Sequence, residues 1–283
     1  MKILGISGRK QAGKNTTANI LHGLVLERYG LVENWTVGDR GELRVLTRDR
    51  HGNLGWGELD ICRKDEEFAA YADQNMWPYV KLYSFADSLK WMCTELFEIP
   101  YASVWGTDDE KNKLQEHLLW ENMPGVTTEK APQDPVTEEV AGRLGKYYEK
   151  VLSGVVYHEP GPMTSREFMQ FLGTEIGRKM FEPIWINATL KKIKREQPEL
   201  AIIADVRFPN EGRAIDDADG LVARLTRIMF PEDTHYSETA MDNYPFNYVL
   251  DNEDEPLVNF IVKVREFYTL HLEPQAVKLV TQP

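Results

Sequence analysis

Ten residues near the start of the chain, Gly8 to Thr17 (GRKQAGKNTT), constrain the fold more than any other stretch. An apolar run, Ile3-Leu4-Gly5-Ile6-Ser7, precedes them, and Ile20, Leu21, Leu24 and Val25 follow at helical spacing. The glycines therefore sit between a buried strand and a helix. Gly8-x-x-x-x-Gly13-Lys14 matches the phosphate-binding loop. Glycines let consecutive backbone N–H groups approach phosphate oxygens, the helix N-terminus adds partial positive charge, and the lysine reaches the terminal phosphates.

Further strands recur between helices. Val80–Phe85 reads as a second core strand, followed by a helix through Leu89 and Leu96. Leu200–Ala204 is a continuous apolar run ending in Asp205, the signature of a parallel strand buried on both faces. Leu221–Leu225 and Tyr248–Leu250 are two more strands, Thr164-Ser165 caps a helix running to Phe181, and a last helix spans Glu255–Tyr268. This alternation predicts an α/β fold with a P-loop NTPase-type, mostly parallel sheet flanked by helices. A single domain over residues 1–283 is expected, with an inserted β-hairpin or small meander at 35–61 and a Pro/Thr/Glu-rich mobile surface loop at 120–142.

Composition narrows the function classes. A net charge of -12 argues against broad binding to nucleic acid or anionic membrane, without forbidding a local basic pocket. No apolar run reaches the roughly 18 residues of a membrane span, and the short N-terminal apolar stretch does not read as a signal peptide. Two cysteines, Cys62 and Cys93, fit a reducing compartment, and no His/Cys spacing suggests zinc.

After Lys14 the usual Ser or Thr is replaced by Asn15, with Thr16 next, so the metal-side hydroxyl comes from Thr16 or the magnesium is held through water. Asp205, at the C-terminal end of a strand, sits where ligands bind in open α/β sheets and is suited to ordering a metal shell. In SREFMQFLGTEIGRKM, about 100° per residue puts Arg166, Gln170, Gly173, Thr174, Gly177 and Arg178 on one side of a helix, with Phe168, Met169, Leu172 and Ile176 on the other. Two glycines on a polar face are costly unless something approaches closely, and a phosphate or sugar between the two arginines accounts for them. An exposed charged face is the alternative. His235, Ser237 and Glu238 form a trio with no nucleophile elbow, which sets a hydrolase aside. Trp91, Phe168, Phe171 and Trp185 are able to stack on a base, but core packing is the better reading of all four.

Taken in order, GRKQAGKNTTA, YSFADSLK, SREFMQFLGTEIGRKMFEPIWI, IIADVRFPNE and HYSETAMDN make the sequence resemble the bacteriophage deoxynucleoside monophosphate kinases, within the wider nucleoside monophosphate kinase group. The resemblance runs from Gly8 to Asn252, and Asn15 fits it, since Asp or Asn is common after that family's loop lysine. It implies transfer of the γ-phosphoryl of ATP to a deoxynucleoside 5′-monophosphate with Mg2+. Gly8, Lys10, Ala12, Gly13, Lys14, Asn15 and Thr16 would then hold the donor. Arg166, Gln170, Thr174, Arg178 and Lys90 would hold the acceptor. Lys14, Asp205, Arg178 and Arg207 would act on the reacting phosphates, with Thr16 and Asp205 toward the metal. Arg224, Arg227 or the His235–Glu238 segment would belong to a closing lid. A homodimer, no nucleic-acid or membrane partner, and a cytoplasmic site (that of the host for a phage-encoded chain) are further expectations. Two rival readings remain: another P-loop small-molecule kinase, of the phosphomevalonate kinase sort, and a non-catalytic ATP-dependent switch.

Overall fold

The computed structural model describes residues 1–49, 51–128, 156–229 and 239–274. The chain falls into two compact units, Met1–Phe85 with Trp185–Pro283, and Ala86–Ile184. In chain order the first unit opens with β1 (Lys2–Ser7), α1 (Lys14–Arg28), β2 (Asn34–Val37), β3 (Leu43–Arg48), β4 (Leu54–Glu58), α2 (Glu66–Asn75) and β5 (Val80–Tyr83). The second unit carries α3 (Asp87–Glu95), α4 (Tyr101–Trp105), α5 (Asp108–Lys111), β6 (Leu114–Leu119), β7 (Val126–Thr127), β8 (Val156–Tyr157), β9 (Pro162–Thr164) and α6 (Ser165–Gln170). The first unit is then completed by α7 (Ile184–Glu196), β10 (Leu200–Val206), α8 (Pro209–Asp216), β11 (Leu221–Leu225), β12 (Tyr248–Leu250) and α9 (Leu257–Phe267).

Five parallel strands form the central sheet in the order β12-β11-β1-β10-β5. Strand β10 is buried from Leu200 to Ala204, as its unbroken apolar run requires. Leu200, Ile202 and Ala204 join the core layer beneath α1, α2 and α9, while Ala201 and Ile203 join the opposite layer with Ile186, Ile193 and Ile215. The connections change side at the sheet centre while the strands stay parallel: β1 leads to the β5 edge, and β10 leads to β11 on the other side. The C-terminal ends of β1 and β10 therefore flank a topological switch point.

The segment expected as an inserted hairpin is a three-stranded antiparallel sheet, β2-β3-β4. It covers the outer side of α1. Gly23 of that helix lies under the Trp35 ring, where a Cβ would sit 2.3 Å from a ring carbon, and the Trp35 indole donates to Glu27 Oε2 at 3.0 Å. Helix α1 is consequently buried on most of its surface rather than along one stripe.

In the second unit, β6 and β9 pair antiparallel and β7 and β8 pair parallel. The helix foreseen after Thr164-Ser165 starts with a reciprocal capping box, Thr164 with Glu167. From residue 129 onward, the expected surface loop at 120–142 lies outside the described residues, but Trp120 is buried and stacked on His158. Phe168, Phe171 and Trp185 are buried as expected; Trp91 is 56% exposed, contrary to its reading as core. Both cysteines are free thiols, and no helix among the described residues is long and apolar enough to cross a membrane.

His22 is fully buried inside α1, its Nδ1 donating to the Ala18 carbonyl at 2.8 Å. Nε2 has no hydrogen-bond partner among the described residues, so a proton there would be a buried unpaired charge. Burial accordingly lowers its pKa from 6.5 to about 4. The folded state thus favours the neutral ring. Its contribution is complete above pH 6.5 and is lost as pH falls toward 4, amounting to about 3 kcal/mol. His22→Leu should remove that dependence. Urea unfolding of both proteins at pH 7.5 and pH 4.5 checks it, and an equal loss of stability in both excludes His22 as the source.

Candidate functional site

Strand β1 ends at Ser7, paired with Val206 of β10 on one side and Arg224 of β11 on the other. The glycine loop begins at the next residue. Gly13 takes a left-handed conformation (φ 94°, ψ 21°), which only glycine adopts at little cost, and it starts α1 without a side-chain cap. The first N–H groups of the helix therefore stay directed at the loop's concavity. Gly8 is small for a different reason: a Cβ would lie 3.1 Å from Ala12 Cβ and 3.2 Å from Leu225 Cβ. Lys14 folds back into the loop, its ammonium donating to the carbonyls of Gly8 at 2.7 Å and Arg9 at 2.8 Å. Ala12 is buried, whereas Lys10 and Asn15 are exposed.

Asn252, just beyond β12, is a site residue that sequence reasoning did not single out. Its buried amide donates to the Ala12 carbonyl at 2.7 Å and accepts from the Arg227 N–H at 2.9 Å. The Arg227 guanidinium in turn donates to the Asn252 carbonyl at 3.1 Å. One short segment of the far strand thus fixes the glycine loop and Arg227 together. Beside them lies a cavity of about 240 Å³, with Thr16, Gly13 and Asn252 on one side and Gly41, Arg227 and Phe260 among its other walls.

Asp205 sits across the switch point from Gly8, its Oδ2 accepting from the Ser84 hydroxyl at 2.7 Å. A register shift puts it there: β1 advances two residues, Gly5 to Ser7, while β10 advances three, Ile203 to Val206. The extra residue breaks the alternation of faces, and Val206 packs with Ile203 instead of with Ile202 and Ala204. Arg207 follows, and the Glu211 carboxylate holds its backbone N–H at 2.8 Å and that of Phe208 at 3.2 Å. On the other side of β1, Asp242 bridges Arg9 at 2.6 Å and Arg224 at 2.9 Å. His235, Ser237 and Glu238 lie outside the described residues.

The acceptor-side residues named from the sequence all lie in the second unit. Arg166 is held by Asp108 at 2.6 Å and Asn112 at 3.1 Å. Beyond α6 the helix continues through Phe171–Arg178 with more residues per turn and i→i+5 hydrogen bonding. Each residue there turns through less than the 100° of a regular α-helix. Four-residue steps drift less there than in an α-helix, which keeps Gln170, Thr174 and Arg178 near one row. Gln170 and Thr174 are exposed and Arg178 half-buried. Gly173 and Gly177 are instead buried. A Cβ at 173 would come 2.8 Å from Leu89 Cδ2, so close helix packing explains that glycine and no phosphate is needed. Lys90 lies with its ammonium 4.5 Å from the centre of the Trp105 ring.

Fold and loop together define an α/β protein of the P-loop kind. No protein-family profile matches the chain. A stretch of 122 residues is 31% identical to a deoxynucleoside-5′-monophosphate kinase of Escherichia phage T5, covering 40% of this chain and 48% of that enzyme. The chain thus spans about half the length of the curated relative it matches, and the likeness supports a relationship to the nucleotide kinases.

Replacing Asn252 by Ala would leave the buried Ala12 carbonyl and Arg227 N–H without their partner. A loss of about 1–3 kcal/mol in unfolding free energy is expected. Urea unfolding measures it; an unchanged value would show that the loop holds its shape without this amide.

Proposed function

We propose that this protein is a deoxynucleoside monophosphate kinase that transfers the γ-phosphoryl of ATP to a deoxynucleoside 5′-monophosphate. The observation that carries the reading is the loop itself: an uncapped helix N-terminus, a left-handed Gly13 and the inward-folded Lys14 ammonium, next to Asp205 at the switch point of a parallel sheet. The likeness to the phage T5 enzyme supports the class of acceptor.

In the proposed reaction an oxygen of the acceptor phosphate bonds to the γ-phosphorus as its bond to the β–γ bridging oxygen breaks, leaving ADP and a diphosphate. The loop N–H groups and Lys14 neutralise the donor phosphates. Magnesium takes oxygen donors, and we assign the Asp205 carboxylate and the Thr16 hydroxyl to it. Magnesium would neutralise phosphate charge there, and Ser84 would hold the Asp205 carboxylate in orientation. Arg166 and Arg178, with Gln170, Thr174 and Lys90, are assigned to the acceptor. Arg207 would assist at the transferring group, its backbone fixed by Glu211. Arg224 and Arg227 are held on the first unit by Asp242 and Asn252 respectively, and we assign them to fixed positive charge beside the donor rather than to a closing lid.

Two substitutions test the reading. Lys14→Ala removes the main point charge on the donor phosphates and should abolish most phosphoryl transfer while the circular-dichroism spectrum stays unchanged. ADP formation measured with a panel of deoxynucleoside monophosphates decides it, and near-normal turnover would overturn the assignment. Arg178→Lys keeps the charge but loses paired N–H donation to phosphate oxygens. kcat/KM for the monophosphate should fall about 10-fold, roughly 1.4 kcal/mol, with KM for ATP little changed. Equal damage to both substrates would mark Arg178 as structural.

A further inference from the structure

The inserted sheet has two parts with different chemistry. Trp35, Val37, Leu43 and Val45 are buried against α1 and account for its packing. The turn between β2 and β3 adds nothing to that packing at Asp39 and Arg40, which are exposed. Yet the turn is fixed with care. Gly38 N–H donates to the Glu42 carbonyl at 2.9 Å, Arg40 N–H to the Glu42 carboxylate at 3.0 Å, and Gly41 N–H to the Gly38 carbonyl at 2.8 Å. The Asn19 amide of α1 reaches out to the Gly41 carbonyl at 2.6 Å. Gly41 is left-handed (φ +83°), and a Cβ there would lie 2.3 Å from Thr16 Oγ1. A glycine at this position lets the turn touch the junction of loop and helix directly.

That contact makes Asp39, Arg40 and Gly41 a wall of the cavity beside the loop. At about 240 Å³ the cavity falls below the roughly 300–1,000 Å³ of sites for whole drug-sized ligands, a size suited to the nucleoside end of a nucleotide whose phosphates lie on the loop. Its chemistry is mixed in the way a nucleoside needs. Leu257 and Phe260 supply an apolar surface, while Asp39 and Glu255 bring carboxylates. Glu255 is already engaged by Lys263 at 2.7 Å, which makes Asp39 the carboxylate suited to sugar hydroxyls. The planar Arg40 guanidinium, in a long, exposed ion pair with Glu58 at 3.8 Å, suits the face of a base.

We infer that the inserted sheet is a specificity element for the phosphoryl donor: its turn holds Asp39 and Arg40 against the nucleoside of a nucleoside triphosphate seated on the Gly8–Thr16 loop. This rests on the kinase reading above. It gives the insertion a role in choosing the donor, separate from its role in covering α1.

Calorimetric titration of a non-hydrolysable ATP analogue and of inorganic tripolyphosphate separates nucleoside recognition from phosphate recognition. The unmodified protein should bind the analogue about 10-fold or more tighter than tripolyphosphate. In the double variant Asp39→Ala/Arg40→Ala most of that advantage should vanish, while tripolyphosphate affinity and the KM for the monophosphate stay within about two-fold. Both residues are exposed, so the variant keeps the fold, and Arg40→Ala alone should shift the ratio in the same direction by less. An undiminished preference for the analogue in the double variant would overturn the inference while leaving the kinase reading intact. Failure of the unmodified protein to bind either triphosphate would overturn both.

Discussion

Parallel pairing on both sides of β1 is the constraint from which the rest of the first unit follows. A strand flanked by β10 and β11 in the same direction delivers three C-terminal ends to one edge of the sheet. Ser7 stands between Val206 and Arg224, so whatever follows β1 must turn away at once, with Asp205 to one side and Arg224 to the other. Leu225 and Ala12 crowd the space beside Gly8, and Gly13 takes a left-handed backbone, which accounts for the two glycines of the turn. The edge also gathers the polar groups, since both faces of the sheet are filled by apolar side chains.

A loop that directs N–H groups toward one point must direct its carbonyls elsewhere, and each of these needs a donor. Here Gly8 and Arg9 are served by Lys14, Ala12 by Asn252, and Gly13 by the Thr17 N–H and hydroxyl. Lys14 therefore has a structural task besides the electrostatic one proposed for it. The buried Asn252 ties the loop to the far side of the sheet, and through Arg227 to the segment leading into α9. Rigidity of this kind is what preorganised phosphate binding requires.

Much of this was legible in the sequence, for identifiable reasons. Glycines between an apolar run and a helical period mark the loop, and a five-residue apolar run followed by Asp205 is hard to read any other way. Capping at Thr164 was visible because the reciprocal Thr/Glu pair is local. Asn252 was not visible: its partners, Ala12 and Arg227, are 240 and 25 residues away, and one asparagine after a short strand resembles any turn residue. The Gly41–Thr16 contact was hidden in the same way, since a turn glycine in a hairpin already has a sufficient local explanation. Gly173 misled in the opposite direction. Its cause is Leu89, a neighbour in space that no helical wheel contains.

Two departures from regular periodicity fall on residues assigned to the chemistry. In β10 one extra residue against β1 breaks strict alternation just where Asp205 must leave the apolar layers and meet Ser84. After α6 the helix widens just where Thr174 and Arg178 must stay near one row with Gln170. A regular strand would send the carboxylate into a packed face, and a regular helix would carry Arg178 round toward the buried side. Both irregularities cost backbone hydrogen-bond geometry. Placement of polar groups is what they achieve. A sequence otherwise consistent with its fold departs from local rules where side-chain direction matters more than local stability.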